Sequence, residues 1–124
     1  MSYRVTVVDD VVVLEVEGEW DYPIALAAQG EVGAIAREQG LVKILVDLSR
    51  CALLPSAADV YEFTKSHFAA FPHQARHAVV VSGEGLRDAN VRFSETVAAN
   101  FGVTLRLFAA RDEAFDWLRQ GPSS

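Results

Sequence analysis

Ser56 stands three residues before Asp59, where a loop gives way to a helical period. A hydroxyl there has two possible chemistries. As an N-cap it accepts a hydrogen bond from the N–H near Asp59; Ser-x-x-Asp is close to a capping box, and alanine in place of such a cap costs about 1 kcal/mol. As a phosphoacceptor it would hold a phosphate where the helix dipole and unpaired N–H groups favour an anion, although Asp59 would repel that phosphate. The cap takes precedence. Asp47 and Ser49 come at the end of the preceding strand, where ligands and partners gather in open α/β sheets. They can hold a partner's amide or hydroxyl, or pin the loop by bonding to nearby backbone N–H groups.

Other groups fail on spacing. His73 and His77 are four apart, as metal ligands on a helix are, but Pro72 and a strand at His77 deny them a shared helical face, so no metal site is assigned. His67 sits on the flank of the helix that Ser56 opens. Gly83-x-Gly85-x-x-Asp88 carries an aspartate where a dinucleotide loop needs its third glycine, and a carboxylate facing a pyrophosphate is repulsive. Glu15, Glu17 and Glu19 alternate along one strand face, the pattern of a solvated surface that discourages edge pairing. Cys51 has no histidine near it in sequence and reads as a small apolar residue. No nucleophile, base and orienting group can be assembled, so no catalytic residue and no cofactor is assigned, and the chain is not read as an enzyme.

Composition sets the frame. The chain has 124 residues, 51% of them hydrophobic, with one cysteine and a formal charge of −6. That is enough for one core without a disulfide or metal. The start, Met-Ser-Tyr-Arg-Val, lacks a signal-peptide pattern, and no apolar run reaches the ~20 residues of a spanning helix, so a cytoplasmic, reduced location is expected. The acidic balance, with Arg37, Arg50, Arg76, Arg92, Arg106 and Arg119 scattered, argues against nucleic acid and anionic membranes.

The elements that must position these residues follow from periodicity. Tyr3 to Val8 and Val11 to Gly18 are β-rich runs joined by Asp9-Asp10, a tight hairpin whose second strand is wet on one face in its far half and lies in the outer part of a sheet. Pro23 opens a helix to Gln39 with Ile24, Ala28, Val32 and Ile35 inward; Gly30 and Gly33 permit close packing, and Gly40 stops it. Ile44 to Leu48 is a buried strand, followed by a loop of about seven residues and a helix from Ser56 to Phe71 with a stripe of Ala57, Val60, Tyr61, Thr64, Phe68 and Phe71. His77 to Ser82 is a strand; Gly83-Glu84-Gly85 turns the chain. A helix from Arg87 to Phe101 aligns Ala89, Phe93, Val97 and Phe101. Thr104 to Phe108 is the last strand, and Asp112 to Arg119 a helix with Ala114, Trp117 and Leu118 inward. Residues 1–120 make one domain with a frayed tail at 121–124. The order β-β-α-β-α-β-α-β-α implies a mixed, mostly parallel five-stranded sheet with four main helices and an antiparallel edge.

Asp47-Leu48-Ser49 followed by Ser56 at a helix start resembles the STAS domains, in which a strand ends in Asp-Leu-Ser and the next helix opens with Asp-Ser-Ser-Gly. The resemblance implies an α/β sandwich of SpoIIAA type and sets Ser56 where that family has its phosphorylatable serine. Pro55, Ala57 and Ala58 replace the flanking aspartate, serine and glycine. Gly18, Trp20-Asp21-Tyr22 and the ending Phe108 to Leu118 are similar to a small bacterial branch of SpoIIAA-like proteins, generally of unassigned function, whose fold has been compared with CRAL-TRIO lipid-transfer domains.

Two functions are therefore expected to compete. The first is a regulatory module that meets a protein partner through Asp47, Ser49 and the helix at Ser56. The second is a carrier or sensor of a small apolar ligand, using Trp20, Tyr22, Tyr61, Phe63, Phe68 and Phe71. Leu26, Phe63 and Val91 fall off their stripes; as one patch they would form a groove or an interface, including one between two copies.

Overall fold

The computed structural model of the chain describes residues 1–51, 56–71 and 75–120, with the side chains of residues 64 and 67–70 excepted. The expectations placed on Pro55, Thr64, His67, Phe68, Pro72, His73 and the tail at 121–124 lie outside what is described.

The chain begins with a hairpin, β1 (Ser2–Val8) and β2 (Val11–Gly18), closed by a two-residue turn in which Asp9 takes φ 56°. Asp tolerates that left-handed conformation because its short side chain bonds locally. Lys43 Nζ reaches Asp10 Oδ2 at 2.7 Å and ties the turn to β3 (Lys43–Cys51). Helix α1 (Tyr22–Gln39) lies between them in sequence; Asp21 caps its start by accepting from the Ile24 N–H, and Gly40, at φ 67°, supplies the left-handed stop. Beyond β3 come α2 (Ala57–Ala70), β4 (Arg76–Val80), α3 (Gly83–Arg87), α4 (Ala89–Asn100), β5 (Thr104–Phe108) and α5 (Arg111–Arg119).

The strands lie in the order β1-β2-β3-β4-β5, antiparallel in the first pair and parallel in the rest. Parallel strands placed in chain order, each joined by a right-handed crossover, send their connecting helices to the same side. So it is here. Val12, Ile44, His77 and Leu105 form one row across the sheet, and Leu14, Val46, Val79 and Leu107 the next. These rows face α1, α2 and α4. The reverse face carries Val13, Leu45, Ala78 and Val80, and among the described elements α5 alone covers it, through Ala114 and Leu118. Ile44, Leu45 and Leu118 are fully buried, each contributing about 2–3 kcal/mol relative to exposure.

Four local expectations are corrected. Gly83 to Gly85 is not a plain turn: Ser82 accepts from the Gly85 N–H at 3.0 Å and starts the short helix α3, after which Asp88 caps α4. Strand β3 continues past Leu48 to Cys51, so Ser49 belongs to a strand rather than a loop. The helix faces are only partly as expected: Ala28, Val32, Val60, Phe71 and Val97 are buried, but Phe63 and Val91 also turn inward, Ala57 is exposed, Tyr61, Phe93 and Phe101 are more than a third exposed, and α1 buries Ala25, Gln29 and Ala36 while Ile24 and Ile35 are half-buried. α2 packs against both α1 and α4, so its buried face is broader than one stripe. Finally, a Cβ on Gly30 would meet nothing within 4 Å, so close packing does not require that glycine.

Candidate functional site

Two places bring the chemically distinctive residues together. The first is the upper end of the face covered by α5. The register sets Glu15 and Asp47 side by side on neighbouring strands, and beyond them the ladder slips: Glu15 pairs with Asp47 but Glu17 pairs with Arg50. Two residues of β2 thus span three of β3, an irregularity that unpairs backbone groups. Asp47 answers it locally. Its Oδ1 accepts from the Ser49 N–H at 3.0 Å and from the Ser49 hydroxyl at 2.6 Å.

Arg111, the first residue of α5, then lies 3.3 Å from Glu15 Oε2 and 3.7 Å from Asp47 Oδ2. A cation at a helix N-terminus opposes the helix dipole, and here two carboxylates offset that. By alternation alone Glu15 lies on a solvated face, and no spacing in the sequence marks Arg111 as its partner. Its signal was an arginine in the turn where acidic residues are preferred. Arg4, Glu17 and Arg50 complete a polar groove of about 370 Å³ around this cluster.

The second place is an apolar cavity of about 90 Å³ between the sheet and α1, α2 and α4. Its floor is the Leu14–Val46–Val79–Leu107 row. Ala25 and Ala28 of α1 are too short to reach across, which is why space remains. Trp20 and Phe63 stand at its side in an edge-to-face pair, centroids 5.5 Å apart, and Gln29 Nε2 donates to the Phe63 carbonyl at 3.3 Å, fixing α2 to α1. The Trp20 Nε1–H is buried and has no acceptor. His77 also lines the cavity, and burial pushes its imidazole down to about 4, so it is neutral near pH 7.

The remaining candidate residues are spread out. Ser56 is exposed and accepts from the Asp59 N–H at 3.2 Å as the N-cap of α2. Tyr61 points outward beside Phe101, centroids 6.5 Å apart. Phe71 is buried edge-on to His77 at 5.2 Å, and Tyr22 is half-buried at the start of α1. The arginines are less scattered than the sequence indicates: Arg76 lies 4.1 Å above the Trp117 ring, Arg119 5.2 Å from Phe115 and Arg106 5.6 Å from Phe108. Separate elements deliver them to the α5 side, with Asp112, Glu113 and Asp116 on the same helix.

No protein-family model and no curated protein matches the sequence. Solved structures do match in shape. An anti-sigma factor antagonist from Mycobacterium paratuberculosis superposes with a TM-score of 0.67 over 95% of this chain and 93% of its own, at 22% identity. The anti-sigma factor antagonist SpoIIAA in its unphosphorylated form gives 0.61 over 98% and 100%, at 16% identity. The fold is SpoIIAA-like. An uncharacterised protein with a SpoIIAA-like fold from Shewanella loihica gives 0.54 over 94% and 92%, at 18% identity. Such identities speak for the SpoIIAA-like architecture and not for shared chemistry. This agrees with the fold that the Asp47-Leu48-Ser49 resemblance implies.

Proposed function

We propose that the protein is a non-enzymatic regulatory module, cytoplasmic, that acts by binding another protein at the surface where α2 begins. Support for the class of role comes from the fold, since the solved structures it resembles include proteins named for antagonising an anti-sigma factor. The observation that carries the reading to a place is the exposed start of α2. Ser56, Ala57, Ala58, Tyr61 and Glu62 are all exposed, and Tyr61, 40% exposed beside Phe101, is the kind of aromatic anchor that interfaces use. The Ser49 and Ser94 hydroxyls donate to a carboxylate and to a backbone carbonyl rather than to a histidine base, which favours a role without nucleophilic catalysis.

The test is photo-cross-linking in the cells that make the protein. With p-benzoylphenylalanine in place of Tyr61, one discrete protein adduct is expected; with the same probe at Val8, in the hairpin, none is. Equal labelling at both positions, or no adduct at Tyr61, overturns the reading. Adding Ser56→Asp to the Tyr61 probe separates two roles for the serine: a changed yield makes it a switch, and an unchanged yield leaves it a cap.

A further inference from the structure

The apolar cavity is independent of that surface, and its wall has a definite chemistry. Among the described residues that line it there is no Lys, Arg, Asp or Glu, and the Ser94 hydroxyl already donates to the Val91 carbonyl at 2.7 Å. Two polar side chains remain among those residues: Trp20, whose Nε1–H is buried without an acceptor, and His77, whose imidazole is neutral near pH 7. A water molecule needs two to four polar partners, whereas nearly all of this wall is apolar, which favours a small apolar guest.

We infer that the cavity binds the end of a small neutral apolar molecule carrying one hydrogen-bond acceptor, a ketone or ester rather than a hydrocarbon or a carboxylate. The apolar part follows from the Leu14–Val46–Val79–Leu107 floor. The acceptor follows from Trp20, because a buried donor left unpaired is costly and an oxygen beside it removes the cost. Neutrality follows from the described wall residues, which include no Lys or Arg and a His77 that is uncharged near pH 7, so a carboxylate would lose its hydration with nothing in exchange. Size follows from volume: about 90 Å³ is smaller than the ~150 Å³ cavity that accepts benzene, so the site holds a short chain end.

Butanone, pentane and propanoate, equal in heavy atoms, are the probes, followed by NMR of the 15N-labelled protein. Butanone is expected to move the Trp20 indole N–H resonance downfield and leave that of Trp117 in place. Pentane should perturb the wall methyls without the downfield shift, and propanoate should perturb neither. Trp20→Phe, which keeps a ring but loses the donor, should weaken butanone about tenfold and leave pentane within about twofold. Ala28→Leu should fill the space and abolish both; if that variant does not fold, the indole shift in the unaltered protein still decides. The inference is overturned if neither butanone nor pentane perturbs the wall, if propanoate binds as tightly as butanone, or if Trp20→Phe weakens butanone and pentane alike.

Discussion

His77 is 1% exposed, edge-on to Phe71, in a setting that holds its imidazole down at about 4. The unfolded chain takes up this proton near the ordinary value of 6.5. Between those limits the unfolded state binds more protons than the native one, so stability is complete above pH 6.5 and falls as pH drops toward 4. The expected loss is about 3 kcal/mol. Urea unfolding of the native protein and of His77→Phe at pH 7 and pH 4 measures it: the native protein should lose about 3 kcal/mol more than the variant over that interval. In sequence His77 was legible as a strand residue and not as the wall of a cavity, because the other walls of that cavity include α1 and α4, remote in the chain. Glu15 was opaque for the same reason. Alternation along β2 shows which way its carboxylate points, but the arginine that meets it lies 96 residues away.

At the scale of elements, boundaries were largely readable because caps and stops are local chemistry. Ser56 and Gly40 each satisfy, or permit the satisfaction of, backbone groups within one turn, whereas the Asp21 cap of α1 emerges only in the structure. Ser56→Ala should therefore lower stability by about 1 kcal/mol in thermal or denaturant unfolding, and Ser56→Asp, which still caps, should change it little. Gly30→Ala should act in the opposite direction. The residue is exposed inside α1 with open space where a Cβ would sit, so alanine should stabilise by about 0.5–1 kcal/mol, visible as a higher urea midpoint. Helix phase was harder to read. Aromatic residues at 61, 63, 68 and 71 fit more than one stripe, and the choice between Tyr61 and Phe63 rests on how α2 meets α1 and Trp20, which periodicity does not encode. Ser82 followed by Gly83 and Gly85 concealed α3, since glycines mark a turn more often than a helix start.

For the whole molecule, the mostly parallel sheet with its antiparallel edge followed from the alternation of strands and helices, whereas the strand order and the two pockets did not, the pockets being products of side chains brought together from several elements. Leu118 tests how the faces share the load. It is fully buried on the face where α5 is the covering helix, so Leu118→Ala should cost about 2–5 kcal/mol in denaturant unfolding. A cost below 1 kcal/mol would mean that α5 is a loose cover. The same arrangement has a consequence for biosynthesis. Each strand pairs with the one made just before it, so the sheet can grow in the direction of translation, and α1, α2 and α4 shield one side as it does. Val13, Leu45, Ala78 and Val80 on the other side stay bare until α5 has left the ribosome. A chain stalled after β5 would display a flat, greasy slab, and that nascent state, rather than the finished protein, is where chaperone demand and aggregation should concentrate.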